Sequence, residues 1–192
     1  MGEAGAGDGT LVAAYTMPRR RALVLAACVG VCLGFGAAAL GLEFIPRRAW
    51  DLLFSPRAGL VERALPFLVF LGQLVAALLV TVLLHEGVHG LAAVLCGCRP
   101  RFGVKFPLVF VTFYEMVPRG RFVLVALAPL VLLDAAFAAL VWAKLWPGPF
   151  LLCVMANTIG ATGDVWMALK LLPHARGSLV RDTATDLEVH HP

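Results

Sequence analysis

Four long apolar runs decide what this chain can fold into. Ala22–Leu42 and Ala64–Leu84 hold no charged residue, Phe122–Ala143 holds only Asp134, and Leu145–Gly163 holds none before Asp164. A bilayer span needs about 20 apolar residues at 1.5 Å of rise each. The runs therefore predict four transmembrane helices, at about 22–45, 64–96, 122–144 and 149–172. Composition argues the same way: 60% of the 192 residues are hydrophobic and 15% are charged. A soluble domain carries about 25% charge. Too few charges remain to cover a surface in water, so the expected surroundings are a lipid bilayer. The net charge of +4 is no sign of nucleic-acid binding, because the basic residues flank the apolar runs, where they mark membrane boundaries.

The segments outside the runs complete the organisation. Residues 1–20 are rich in Gly and Ala and are expected to form a disordered cytoplasmic N-terminus. Arg19, Arg20 and Arg21 precede an apolar stretch longer than the 7–15 residues of a signal-peptide core, which predicts a retained anchor. Position 6 is Ala6, so the glycine at position 2 is not expected to be myristoylated. The transmembrane domain is expected over 21–172, followed by a polar cytoplasmic tail over 173–192. With four spans, eleven basic residues lie on the side of the termini and five on the other. The positive-inside rule then predicts both termini in the cytoplasm. Cys28, Cys32 and Cys153 lie in apolar runs and Cys96 and Cys98 near a helix end, all read as packing residues. A single Cys-x-Cys lacks the second pair of a structural zinc site.

The chemistry lies in the second run, where residues 85–90 read His-Glu-Gly-Val-His-Gly. On a helix His85 and His89 are one turn apart and face the same way. Two imidazoles at that spacing can share one Zn²⁺. Glu86, beside them, can take a proton from the attacking water without being a ligand. Three ionisable groups in an apolar run cost several kcal/mol unless paired or metal-bound, which makes them functional candidates by default. A catalytic zinc site needs a third protein ligand. Asp134 and Asp164 are the carboxylates within the runs, with Glu43 and Glu115 nearer the interfaces. Asp164 is preferred, with Asp134 as the alternative. Asn157, Gly160, Ala161 and Asp164 form one small, polar helical stripe suited to close helix contact. Gly87 and Gly90 give the second helix a similarly thin face. Asn157 is expected to orient substrate or a ligand.

At this point the residues resemble a known group. His85-Glu86-x-x-His89 in a membrane helix, followed by Asn157 and Asp164 in a later one, is similar to the site-2 protease class of intramembrane zinc proteases. The likeness is closer to the small bacterial and archaeal membrane proteins called putative zincin peptidases, and it covers about residues 64–172. The ending Gly160-Ala161-Thr162-Gly163-Asp164 stands where typical site-2 proteases have Leu-Asp-Gly, and Asn-x-x-Pro is missing. The resemblance implies an all-α integral membrane fold of about four helices, with a three-helix metalloprotease core over 64–172 and a short re-entrant or β-like segment. It implies zinc held by His85, His89 and Asp164, Glu86 as general base, and a membrane-embedded protein substrate. The implied location is a prokaryotic cell membrane, with the site near the cytoplasmic face.

Residues 104–117 are too short to span and rich in β-formers, which fits that β-like segment. Tyr114 and Glu115 in it are weaker candidates for lining the site. A non-catalytic metal-binding membrane protein, either an inactive protease relative or a transporter, is the alternative. A transporter is expected to show internal repeats with polar half-helices in both halves. The chain shows no such repeat.

Overall fold

In the computed structural model the described residues are 10–16, 19–39, 51–52, 54–105, 108–113, 115–183 and 186–191. Long helices come from the apolar runs: α1 (Arg19–Ala39), α2 (Leu60–Leu95), α3 (Arg119–Trp142), α4 (Pro147–Gly160) and α5 (Thr162–Leu171). The first three helices, with α4 and α5 taken as one stretch, make four segments long and apolar enough to cross a membrane. Their outer faces agree with that reading. Leu60, Leu83, Leu95, Leu124 and Val131 are exposed to between 60 and 84% of their surface, a pattern that suits lipid rather than water. The last run is broken where the sequence predicted one helix. Ala161 interrupts it, completely buried, with φ −67° and ψ 0°.

Helix α2 stops where its sequence dictates. Gly97 takes φ +73°, a conformation that costs glycine little. Its amide donates to the Val94 carbonyl and the Cys98 amide to the Ala93 carbonyl, each at 2.9 Å. This is the paired closure that ends a helix with a left-handed glycine.

Strands supply the remainder. β2 (Pro100–Lys105) and β3 (Leu108–Phe113) form an antiparallel hairpin, paired from Pro100 with Phe113 to Lys105 with Leu108. This is the expected β-like segment. A second, four-stranded sheet is built from β1 (Thr10–Thr16), β4 (Val117–Pro118), β5 (Leu179–Asp182) and β6 (Asp186–His191), in the order β1-β6-β5-β4.

That sheet corrects three expectations. The fold is helical with two sheets rather than all-α. Residues 10–16, read as part of a disordered terminus, pair along β6 from Thr10 with His191 to Thr16 with Asp186. Residues 1–9 lie outside the described residues. Much of the 173–192 tail is the β5–β6 pair, with Val180 opposite Val189 and Asp182 opposite Leu187. The physical reason is visible in β6, where Leu187 and Val189 alternate with Glu188 and are almost completely buried. A half-buried strand needs this alternation, but six residues of it are easily read as a polar tail.

Two compact units can be distinguished, and their boundaries fall inside α1, α2 and α3 and at the α4–α5 break. The first takes the described residues within Met1–Leu23, Glu86–Pro129 and Ala161–Pro192. Its core joins Ala93 and Cys98 to Phe122, Val125, Leu171, Val180, Leu187 and Val189. The second takes those within Val24–His85 and Leu130–Gly160. There Phe137 stacks on Phe150 with ring centroids 6.2 Å apart. Ile159 lies 3.1 Å from where a Cβ on Gly30 would sit, so that glycine permits close approach.

Leu187 is 2% exposed, so Leu187→Ala should destabilise the detergent-solubilised protein by about 2–5 kcal/mol. Thermal or denaturant unfolding checks it, and wild-type stability would show that β6 is not part of the core.

Candidate metal centre

The centre begins with the seam of α2. His85 and His89 lie one turn apart on its unbroken length and are 9% and 8% exposed. Glu86, next in the chain, is half-buried. One possible ligand atom from each of His85, His89 and Asp164 lies within 4.8 Å of the other two. Among the described residues this is the group of His, Cys, Asp and Glu close enough to hold a metal ion. His89 Nε2 and Asp164 Oδ2 are 3.5 Å apart. That exceeds the 2.7–3.2 Å of an N–H···O hydrogen bond. It is close to the edge of a tetrahedron with bonds of about 2.1 Å, roughly 3.4 Å.

Each imidazole is held from behind. His89 Nδ1 lies 2.9 Å from the Val125 carbonyl oxygen. A carbonyl only accepts, so Nδ1 carries the proton and donates, which leaves the lone pair on Nε2. The Val125 carbonyl is available for a sequence reason. Its usual partner in α3 would be the amide of residue 129, and that residue is Pro129, which has none. A proline in the middle of the third apolar run thus supplies the acceptor that orients a ligand from α2. His85 Nδ1 lies 2.9 Å from Asn157 Oδ1, and the same reasoning puts the proton on Nδ1. The donor set fits zinc: two imidazoles presenting Nε2 and one carboxylate.

Asp134 stands apart from this group. Its Oδ1 accepts from Asn157 Nδ2 at 2.9 Å and its Oδ2 from Thr158 Oγ1 at 2.7 Å. Of the two carboxylates left open by the sequence, Asp164 is the one brought to the histidines. Asn157 is completely buried and bonds a histidine. The expected thin helix faces are not what brings these groups together. A Cβ on Gly87, Gly160 or Gly163 would meet nothing within 4 Å, and one on Gly90 would meet the ring of Phe102 on β2 at 2.4 Å.

Beside His89 and Asp164 lies a small cavity of about 40 Å³, lined also by Val111 and Phe113 of the hairpin, Met167 and Asp182. One water needs ~10–15 Å³, so the cavity admits water and little more. Asp182 is a site residue that the sequence did not offer. It sits on β5, and its place depends on a sheet with no strong sequence signal. Tyr114 lies outside the described residues. Glu115 is exposed and accepts from the Arg99 amide at 2.7 Å. His174, His190 and His191 are tied to the strand-bearing unit: Tyr15 Oη lies 2.8 Å from His174 Nε2, and His190 and His191 belong to β6. Cys98 is buried, which pushes its thiol above the usual range, with further upward influence from Cys96. It suits packing rather than metal binding.

Residues 78–179, which carry every group named in the centre except Asp182, match the family model described as Putative zincin peptidase. The match spans more than half of the 192 residues. The chain belongs to this family. Membership in the zincin peptidases points to a zinc metallopeptidase, and the His-His-Asp group is the part of the molecule that suits it. Searches of curated proteins and of solved structures return no match.

Pro129→Ala restores an amide that competes with His89 for the Val125 carbonyl. Its zinc affinity should fall, by up to about tenfold, the lower end of what losing a histidine's supporting bond costs. His85→Ala and Asp164→Ala should lose tight binding altogether. Metal titration of the detergent-solubilised protein checks the order.

Proposed function

We propose that the protein is a membrane-embedded zinc metalloprotease that hydrolyses peptide bonds of membrane or membrane-adjacent proteins. The observation that carries this reading is the convergence of His85, His89 and Asp164 with Glu86 beside them in a helix apolar enough to span. Zinc, when bound, would polarise the scissile carbonyl and acidify the attacking water. His85 and His89 would hold the ion through Nε2, because both Nδ1 protons are engaged elsewhere. Asp164 would complete the set with a carboxylate oxygen and reduce the charge of the site. Glu86 would take one proton from the attacking water and deliver it to the leaving amine nitrogen.

The cavity beside His89 and Asp164 admits water but not a folded helix. A scissile bond would therefore have to enter on extended chain, with its helix unwound locally. The β2–β3 hairpin contributes Val111 and Phe113 to the cavity wall and offers strand edges that extended chain can pair with. The excess of basic residues on the side of the termini supports placing both termini in the cytoplasm.

Glu86→Gln should retain zinc at the wild-type ratio and lose cleavage of a membrane protein substrate by several orders of magnitude. Reconstituted vesicles carrying candidate substrates provide the assay. Cleavage at the wild-type rate by Glu86→Gln would end the protease reading.

A further inference from the structure

Asp134 is an acidic residue in the middle of an apolar helix, which is costly unless something depends on it. It is not among the residues that could share the ion. We propose that Asp134 is a positioning residue for the metal centre, fixing the tautomer and ring orientation of His85 through the Asn157 amide. The proposal rests on the reading of His85 as a metal ligand.

The argument follows the direction of each hydrogen bond. Thr158 Oγ1 donates to Asp134 Oδ2 at 2.7 Å and steadies the carboxylate. The other oxygen, Oδ1, accepts from Asn157 Nδ2 at 2.9 Å. That contact settles which end of the amide is which, because the amide NH₂ has to face the acceptor. The Asn157 oxygen is then turned toward His85, 2.9 Å from Nδ1. An amide oxygen cannot donate, so Nδ1 keeps its proton and Nε2 keeps the lone pair that binds a cation. Without the anchor at Asp134, the amide can turn over and present its NH₂ to His85. That NH₂ would take the lone pair of Nδ1, leaving Nε2 protonated and unable to ligate. Asn157 is completely buried, so no bulk water stands in for the missing carboxylate.

Two substitutions separate this role from simple packing. Asp134→Asn can still present an oxygen to Asn157, and Asp134→Leu cannot. Full-length protein labelled with ¹⁵N-histidine, in micelles and free of metal, should show His85 protonated on Nδ1 in wild type and in Asp134→Asn. In Asp134→Leu the His85 resonances should report mixed tautomers. Co²⁺ affinity, read from its visible absorption, should fall by about 10–100-fold in Asp134→Leu and stay close to wild type in Asp134→Asn. Asn157→Leu breaks the same chain, so the double variant should lose no more than either single one.

If Asp134→Leu fails to accumulate, Asp134→Ser, too short to reach the amide, carries the same prediction. An unchanged His85 tautomer with wild-type Co²⁺ affinity in Asp134→Leu overturns the proposal and leaves the metal centre standing. A wild-type chain that binds no Co²⁺ overturns the metal centre instead. The metal-free tautomer spectrum then still decides whether Asp134 acts on His85.

Discussion

A polar group on an apolar helix has to find its partner within the protein, because lipid offers no hydrogen bonds. That constraint organises the centre of this molecule. His85 takes the Asn157 oxygen, Asn157 takes Asp134, Asp134 takes Thr158, and His89 takes a backbone carbonyl. Each bond satisfies a buried group, and each also has a direction. Together they place both imidazole protons on Nδ1 and both lone pairs on Nε2. What burial demands and what metal binding demands are met by the same contacts.

The two histidines reach this state by different means. His89 depends on backbone: Pro129 removes an amide from α3, and the Val125 carbonyl turns to the imidazole instead. His85 depends on side chains alone, with an amide held in one orientation by a carboxylate. Backbone acceptors are hard to lose by substitution, whereas a chain of side chains is sensitive at every link. The unit that holds His89 and Asp164 also holds both sheets, and Val111, Phe113 and Asp182 reach the cavity beside them from the strands.

Much of the site was legible in the sequence. The spacing of His85 and His89 speaks for itself, since a helix brings residues four apart onto one face. Their position in an apolar run made the motif expensive and therefore informative. Asn157 could be picked out as a polar residue in an apolar stretch, but its partner could not. Asp134 and Asp164 look alike in sequence, each a lone acid at or near the end of apolar chain. The role of Pro129 was hidden because a proline in a membrane-type helix is common and names no beneficiary. The four-stranded sheet was hidden for a different reason. Its strands are four to seven residues long apart from the two-residue β4, and β1 and β6 lie near opposite ends of the chain. Their pairing is a long-range event that no local pattern records.

The sequence by itself determined four apolar segments, a β-prone hairpin and a His-Glu-x-x-His face, because these depend on residue spacing along single elements. Tertiary structure alone decided which carboxylate meets the histidines, which carbonyl and which amide hold them, and that both chain ends build a sheet. Those outcomes depend on the distance and direction between groups far apart in the chain. A hydrogen bond is made or lost within a few tenths of an ångström, and spacing in sequence does not carry that information.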